Sequence, residues 1–163
     1  MSSVSPPPQI FDLTGRVALV TGSTQGLGLS IARGLAQAGA SVLVNGRRPD
    51  RVQQTVDELT AQGLHAAPLA MDVTNEAEVT EHLGPAPDGQ RRQIDILVNN
   101  VGVHQRAPLE TMSTEAWQTV IDANLTSAFT VSREVVHGMI ARQSGKIINI
   151  CSLMSDLGRP TTG

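Results

Sequence analysis

The sequence predicts an α/β domain built on a doubly wound parallel sheet with helices on both faces. Three observations lead there. Short apolar runs alternate with segments of helical periodicity along the chain, an order that implies parallel strands joined by right-handed crossovers. A glycine-rich stretch, TGSTQGLG (Thr21 to Gly28), stands between the first apolar run and the first helical segment. The chain has 163 residues, 40% of them hydrophobic, which suits one domain with its own core.

Each element has a local reason. Val17 to Val20 is a continuous apolar run, expected of a strand buried on both faces. Leu27, Ile31 and Leu35 follow at i, i+4 and i+8 as a helix face, with Gly39 as its stop. Ser41 to Val44 reads as the second strand. Asp50 is placed to cap a helix with Val52, Val56 and Leu59 on its inner face, ending at Gly63. His65 to Met71 forms a third strand interrupted by Pro68, which removes a ladder donor and so belongs at a sheet edge. Asn75 and Glu78 make a capping-box pair for a short helix through Val79 and Leu83. After the turn-rich GPAPDGQ loop (Gly84 to Gln90), Ile94 to Val98 is a fourth strand. A long helix then runs from Thr114 to Arg142, with Ser113 as cap and Gly145 past its end, and Lys146 to Cys151 is a fifth strand. With strand order 3-2-1-4-5, the Pro68 strand lies at an edge and ligands belong at the carboxyl ends of the strands.

Composition excludes several functions. A net charge of −3 gives no basic field for nucleic acid or anionic lipid. No stretch approaches the roughly 18 apolar residues of a membrane span. One cysteine, Cys151, forms no internal disulfide, which fits a reducing cytoplasm, and its apolar run marks it as a small core residue. The N-terminal MSSVSPPPQ lacks the charge and apolar stretch of a secretion signal; residues 1–12 read as a mobile leader and 13–163 as one domain.

The glycine turn carries the first chemistry. Gly22, Gly26 and Gly28 follow a G-x-x-x-G-x-G spacing: one for a tight turn, one for close backbone approach to a pyrophosphate, one for helix–strand packing. The helix N-terminus behind them offers unpaired amides and a positive dipole end.

TGSTQGLG, then NNVG at Asn99 to Gly102, then Ser152 after the fifth strand, resemble the short-chain dehydrogenase/reductase family over essentially all of the chain past the leader. HQRAPLE (His104 to Glu110) with INICSLMS (Ile148 to Ser155) is similar to its gluconate 5-dehydrogenase subgroup. The resemblance implies a Rossmann-type dinucleotide-binding domain and interconversion of a secondary alcohol and a ketone on a sugar acid or polyol. It implies cofactor contacts from Thr21, Gly22, Ser23, Gln25, Gly26, Leu27, Gly28, Asp72, Val73, Asn99, Val101 and Gly102. Val101 stands where the family carries Ala, which crowds the adenosine side.

A carboxylate at the end of the second strand would hold a ribose 2′-hydroxyl and repel a 2′-phosphate. Here the strand ends Asn45, Gly46, Arg47, Arg48. Arg47 can clamp a phosphate, which favours NADP over NAD, while Arg48 reads as a solvated turn residue. By the resemblance Asp72 accepts from the adenine amino group; its plain alternative is a turn or cap with Thr74, and the two roles are compatible. Asn99 and Asn100 suit strand-end ties.

Asn124 falls on the long helix's apolar face with Trp117, Val120, Ile121, Ala128 and Val131. It is either a satisfied core amide in a bent helix or, by the resemblance, a proton-relay asparagine. Ser152, by the resemblance, hydrogen-bonds the reacting carbonyl; its plain alternative is a turn cap, and Ser155 is its local competitor. No G-x-S-x-G surrounds Ser152, so a hydrolase is disfavoured. The family's acid/base is a tyrosine paired with a lysine, but this sequence contains no tyrosine, and its one lysine, Lys146, is placed to cap the preceding helix. His104 carries little weight as a proton carrier, and Arg106 is a weak site for a substrate carboxylate. The chain therefore reads as the N-terminal portion of such an enzyme, inactive alone, with the sheet incomplete at its C-terminal side and the fifth strand an open edge. The full-length form is expected to be a homo-oligomer. The alternative is a non-catalytic product that binds nucleotide or pairs with other subunits.

Overall fold

The computed structural model describes residues 11–152; residues 1–10 and 153–163, including Ser155, lie outside the described residues. The elements are β1 (Val17–Val20), α1 (Gly26–Gln37), β2 (Ser41–Gly46), α2 (Pro49–Thr60), β3 (Ala66–Ala70), α3 (Glu76–Leu83), β4 (Ile96–Asn99), α4 (Thr114–Ile121), α5 (Ser127–Arg142) and β5 (Lys146–Asn149). All strands are parallel, in the order β3-β2-β1-β4-β5 expected from the sequence. Pro68 sits on the edge strand, where its missing N–H is tolerated.

Alternation along the central strands sorts the core into two layers. Ala18, Val20, Val42, Val44, Ile96 and Val98 face α1 and α2, with Ala32, Ala36, Val52, Val56 and Leu59 packed on them. Leu19, Leu43 and Leu97 face the other way, toward Val79 and Leu83 of α3 and Val131, Val135 and Met139 of α5. Strands buried on both sides need apolar residues at every position, which is why they read as continuous runs.

The structure corrects several local expectations. The residues of α1 nearest the sheet are Gly28, Ala32 and Ala36. Leu27 is 59% exposed, and Ile31 and Leu35 only flank the core. Small residues bring the helix close to the strands, and close packing decides over bulk. Asp50 does not cap α2: Pro49 occupies the first turn and Asp50 pairs with Arg48 at 2.7 Å. β3, β4 and β5 start or stop inside the runs expected of them, at Ala66–Ala70, Ile96–Asn99 and Lys146–Asn149. Lys146 lies in β5, not over a helix end; α5 is closed by Gln143 in the left-handed conformation, and Gly145 lies past that end as expected, where a Cβ would run into the Met139 side chain. Cys151 is exposed rather than in the core, since β5 pairs only with β4 and the described residues put nothing over its far side. Ile147 and Ile148 are exposed with it, as expected of an open edge.

The Asn75 cap stands as expected. Its side chain accepts from Ala77 N at 3.1 Å and Glu78 N at 3.4 Å and donates to Glu78 Oε1 at 2.9 Å. Asn75→Ala is expected to lower unfolding stability by about 1 kcal/mol in urea titrations, with no change in nucleotide affinity. An unchanged unfolding midpoint would count against the cap.

Candidate functional site

At the carboxyl ends of β1, β2 and β4 the chain leaves the sheet together, and the glycine turn is tied there from two sides. On the β2 side, Asn45 accepts from Gly22 N at 3.2 Å through its Oδ1 and donates through Nδ2 to the carbonyls of Leu69 and Met71, both at 3.0 Å. Its backbone bonds Ser23 reciprocally, with Asn45 N donating to Ser23 Oγ at 2.9 Å and Ser23 N donating to Asn45 O at 2.8 Å. On the β4 side, Asn100 Nδ2 donates to Thr21 O at 2.9 Å and to Gly22 O at 3.3 Å. Thr21 Oγ1 accepts from Asn100 N and Val101 N at 2.9 and 3.2 Å. Gly22 and Gly26 have φ of +63° and +56°, a region glycine enters without strain.

This bracing presents α1 end-on. Gln25 at its N-cap makes no side-chain capping bond, and the first turn carries no acid. Its first amides are left to a ligand, and the helix dipole favours an anion. The turn opens on a cleft of about 450 Å³ lined by Gly22, Gln25, Gly26, Leu27, Gly28, Arg47, Asp72, Val73, Val101 and Gly102, with Asn45 and Asn100 in its wall. Thr21, Ser23 and Asn99 do not line it; they are buried behind it, and their hydroxyls and amide hold the strand ends.

Beside this cleft lies a groove of about 360 Å³ lined by Thr24, Gln25, Arg47, Arg48, Arg51 and Gln54. Its arginines are not equivalent. Arg48 holds Asp50, and that hydrogen bond keeps the Asp50 carboxyl below its ordinary range. Arg51 donates to Gln54 Oε1 at 3.1 Å. Arg47 makes no bond or ion pair among the described residues and is shared by both cavities. Asp72 serves as the turn residue, its Oδ1 accepting from Thr74 N and Oγ1 at 3.0 and 2.8 Å.

Across the cleft the long helix is interrupted. Between α4 and α5, Asp122–Thr126 forms a π turn, with Ser127 N–H reaching the Asp122 carbonyl. Such turns inside helices mark functional positions. Asn124 lies in this turn and is exposed, not buried as its place on the apolar face implies, because the wider turn rotates it off that face. It accepts from Val103 N at 2.7 Å and donates to Val103 O at 2.9 Å, tying the loop after β4 to the helix. Trp117, assigned to the same face, is half exposed.

Asn99 Nδ2 donates to Asn149 Oδ1 at 2.8 Å and to Ser132 Oγ at 3.0 Å, tying β4 to β5 and α5. Ser152 is exposed just past β5, at the carboxyl edge of the sheet. His104 and Arg106 are exposed in the loop before α4, outside the cleft lining. Two contributors escaped the sequence reading. Asn45 drew notice only as the absence of an acid, although a polar residue closing an apolar strand already marks a side chain that must find buried partners. Arg51, in the first turn of α2, has no motif of its own in the sequence and is brought to the groove only by the start of that helix.

Among the described residues no helix is long and apolar enough to cross a membrane, and no cluster of His, Cys, Asp or Glu could hold a metal ion. A family profile described as "short chain dehydrogenase" matches residues 16–163. The chain is 42% identical over 155 residues to 2-dehydro-3-deoxy-D-gluconate 5-dehydrogenase of Formosa agariphila, covering 94% of this chain and 58% of that protein. Among solved structures, a candidate gluconate dehydrogenase from Agrobacterium tumefaciens is 52% identical with a TM-score of 0.88, over 94% of this chain and 60% of its own. A gluconate 5-dehydrogenase from Burkholderia cenocepacia J2315, solved in complex with NADP and tartrate, is 42% identical with a TM-score of 0.85, over 93% of this chain and 59% of its own. The chain thus spans under two thirds of the length of these relatives. On the match across residues 16–163 and the parallel 3-2-1-4-5 sheet that carries it, this chain belongs to the short chain dehydrogenase family.

Proposed function

We propose that this chain is the nucleotide-binding portion of an NADP-dependent oxidoreductase that interconverts a secondary alcohol and a ketone on a gluconate-like sugar acid. One observation carries the cofactor half of the reading: a braced glycine turn opens on a cleft whose far corner holds Arg47, with no bonding partner among the described residues, where a carboxylate would select NAD. The residues fit such a group, because a Cβ at Gly28 would collide with the Gly22 carbonyl and one at Gly22 would press on Val101, so glycine at both places lets the turn lie close against the α1 N-terminus that would receive the pyrophosphate.

In this reading Gly22, Gln25, Gly26, Leu27 and Gly28 receive the pyrophosphate on the α1 N-terminus, and Asp72, Val73, Val101 and Gly102 flank the adenosine. Arg47 takes the 2′-phosphate. The bound nicotinamide supplies or accepts the hydride. Ser152 hydrogen-bonds the reacting oxygen, and Asn124, held by Val103, keeps the π turn open beside the site for a proton-carrying water. His104 and Arg106 are peripheral to substrate. Relatives named for gluconate chemistry support the substrate class.

A hydroxyl proton must also leave through a positioned acid/base, and this sequence contains no tyrosine to serve. The 163-residue chain therefore binds nucleotide without turnover, and the full-length enzyme works as a homo-oligomer in the cytoplasm. Calorimetric titration is expected to show NADP⁺ bound about tenfold or more tighter than NAD⁺, a difference of one charge-assisted contact. NADPH oxidation with 5-ketogluconate should stay at background. Binding of neither nucleotide would overturn the cofactor reading. Turnover that Ser152→Ala abolishes would overturn the inactivity and leave the assignment of Ser152 standing.

A further inference from the structure

We propose that Asn45 is a positioning residue for dinucleotide binding: its carboxamide sets the phosphate-binding turn in register with the end of β3, and no other side chain can replace it there. The proposal rests on the NADP-binding reading above. Asn45 is 1% exposed at the end of β2. Its Oδ1 accepts from Gly22 N at 3.2 Å, and Nδ2 spends both protons on the Leu69 and Met71 carbonyls at 3.0 Å. Met71 directly follows β3, so one amide group spans from the glycine turn across its own strand to the edge strand.

Geometry selects the chemical type. The position needs one acceptor on the turn side and two donors on the β3 side. A carboxamide alone among side chains of that length supplies both. Aspartate keeps the acceptor for Gly22 but places an oxygen against two carbonyl oxygens. Leucine leaves all three backbone groups unpaired in a buried place. The same strand end reaches the turn a second time through Ser23, whose hydroxyl accepts from Asn45 N and whose N–H donates to Asn45 O. Gly22 also has little lateral freedom, since a Cβ there would lie 3.0 Å from Val101 Cγ2 and 3.4 Å from Asn100 Nδ2. A small shift of Gly22 thus alters the path of the turn over which a pyrophosphate lies, whereas Arg47 stands outside that turn, just past the end of β2.

That separation provides the test. NADP⁺ reaches both the turn and the Arg47 corner; 2′-AMP carries the adenosine 2′-phosphate and has nothing to place on the turn. Calorimetry on wild type and Asn45→Asp is expected to show NADP⁺ weakened about tenfold and 2′-AMP changed less than about twofold. Equal weakening of the two ligands means a general loosening of the fold and overturns the proposal, as does unchanged NADP⁺ affinity. If Asn45→Asp does not fold, Ser23→Ala, which removes one acceptor from the same tie, decides by the same ratio. A selective loss for NADP⁺ supports the proposal, and an unchanged ratio overturns it. Failure of wild type to bind either ligand would instead remove the cofactor reading on which the proposal rests.

Discussion

Gly28→Ala is expected to abolish nucleotide binding, with NADP⁺ affinity falling at least about a hundredfold, and to lower the melting temperature by roughly 5 °C. A Cβ at this position would run into the Gly22 carbonyl oxygen and the Asn100 side-chain amide. Neither can retreat cheaply. The Gly22 carbonyl belongs to the turn itself, and Asn100 is bonded to Thr21 O and Gly22 O. The helix must then back away from the strands, which opens the Ala32 and Ala36 contacts and moves its free amides off the cleft. Overpacking of this kind costs about 1–3 kcal/mol in stability. Gly26→Ala is the matched control. It faces open space, so it bears only the conformational cost of φ +56°, about 1 kcal/mol, without a clash. Calorimetry and thermal melts on the two variants decide the matter. Wild-type NADP⁺ affinity in Gly28→Ala would disprove the close approach.

The second large effect belongs to Arg47. Arg47→Leu is expected to weaken NADP⁺ about tenfold to a hundredfold and to leave NAD⁺ within about threefold, because one charge-assisted contact to the 2′-phosphate is lost. Arg48→Leu should change neither affinity. Its guanidinium is already committed to Asp50 at 2.7 Å, whereas Arg47 has no such partner among the described residues. Arg51→Leu should fall between them, since it lines the same groove but bonds Gln54. Parallel titrations at low and high salt provide the check, as the Arg47 contribution should shrink most with added salt and Arg48 should show none to lose. Equal losses from Arg47→Leu and Arg48→Leu would show a diffuse positive field in place of a site.

Where the sequence reading succeeded, the signals were local and periodic. β1, β2 and β4 lie where continuous apolar runs stand, since a strand covered on both faces needs apolar residues throughout. Pro68 placed β3 at the edge because a missing N–H is a property of one residue. The glycine spacing placed the cleft because backbone conformation follows from residue type. The misses share a different cause. The i, i+4, i+8 spacing puts Leu27, Ile31 and Leu35 on the inner face, yet the residues of α1 buried against the sheet are Gly28, Ala32 and Ala36. Cys151 was assigned to the core on its neighbours, yet β5 is the open edge.

By itself the sequence determined the class of fold and the position of the glycine turn, because hydrophobic period and glycine conformation are written residue by residue. Only the tertiary structure decided that Arg48 is committed to Asp50 while Arg47 has no partner among the described residues, that Asn124 leaves the core through a π turn, and that Asn45 braces the turn from the neighbouring strand. The last two depend on partners distant in sequence: Val103 for Asn124, Leu69 and Met71 for Asn45. A hydrogen bond between such residues leaves no periodic trace, since its energy depends on where the chain returns and not on what stands beside it.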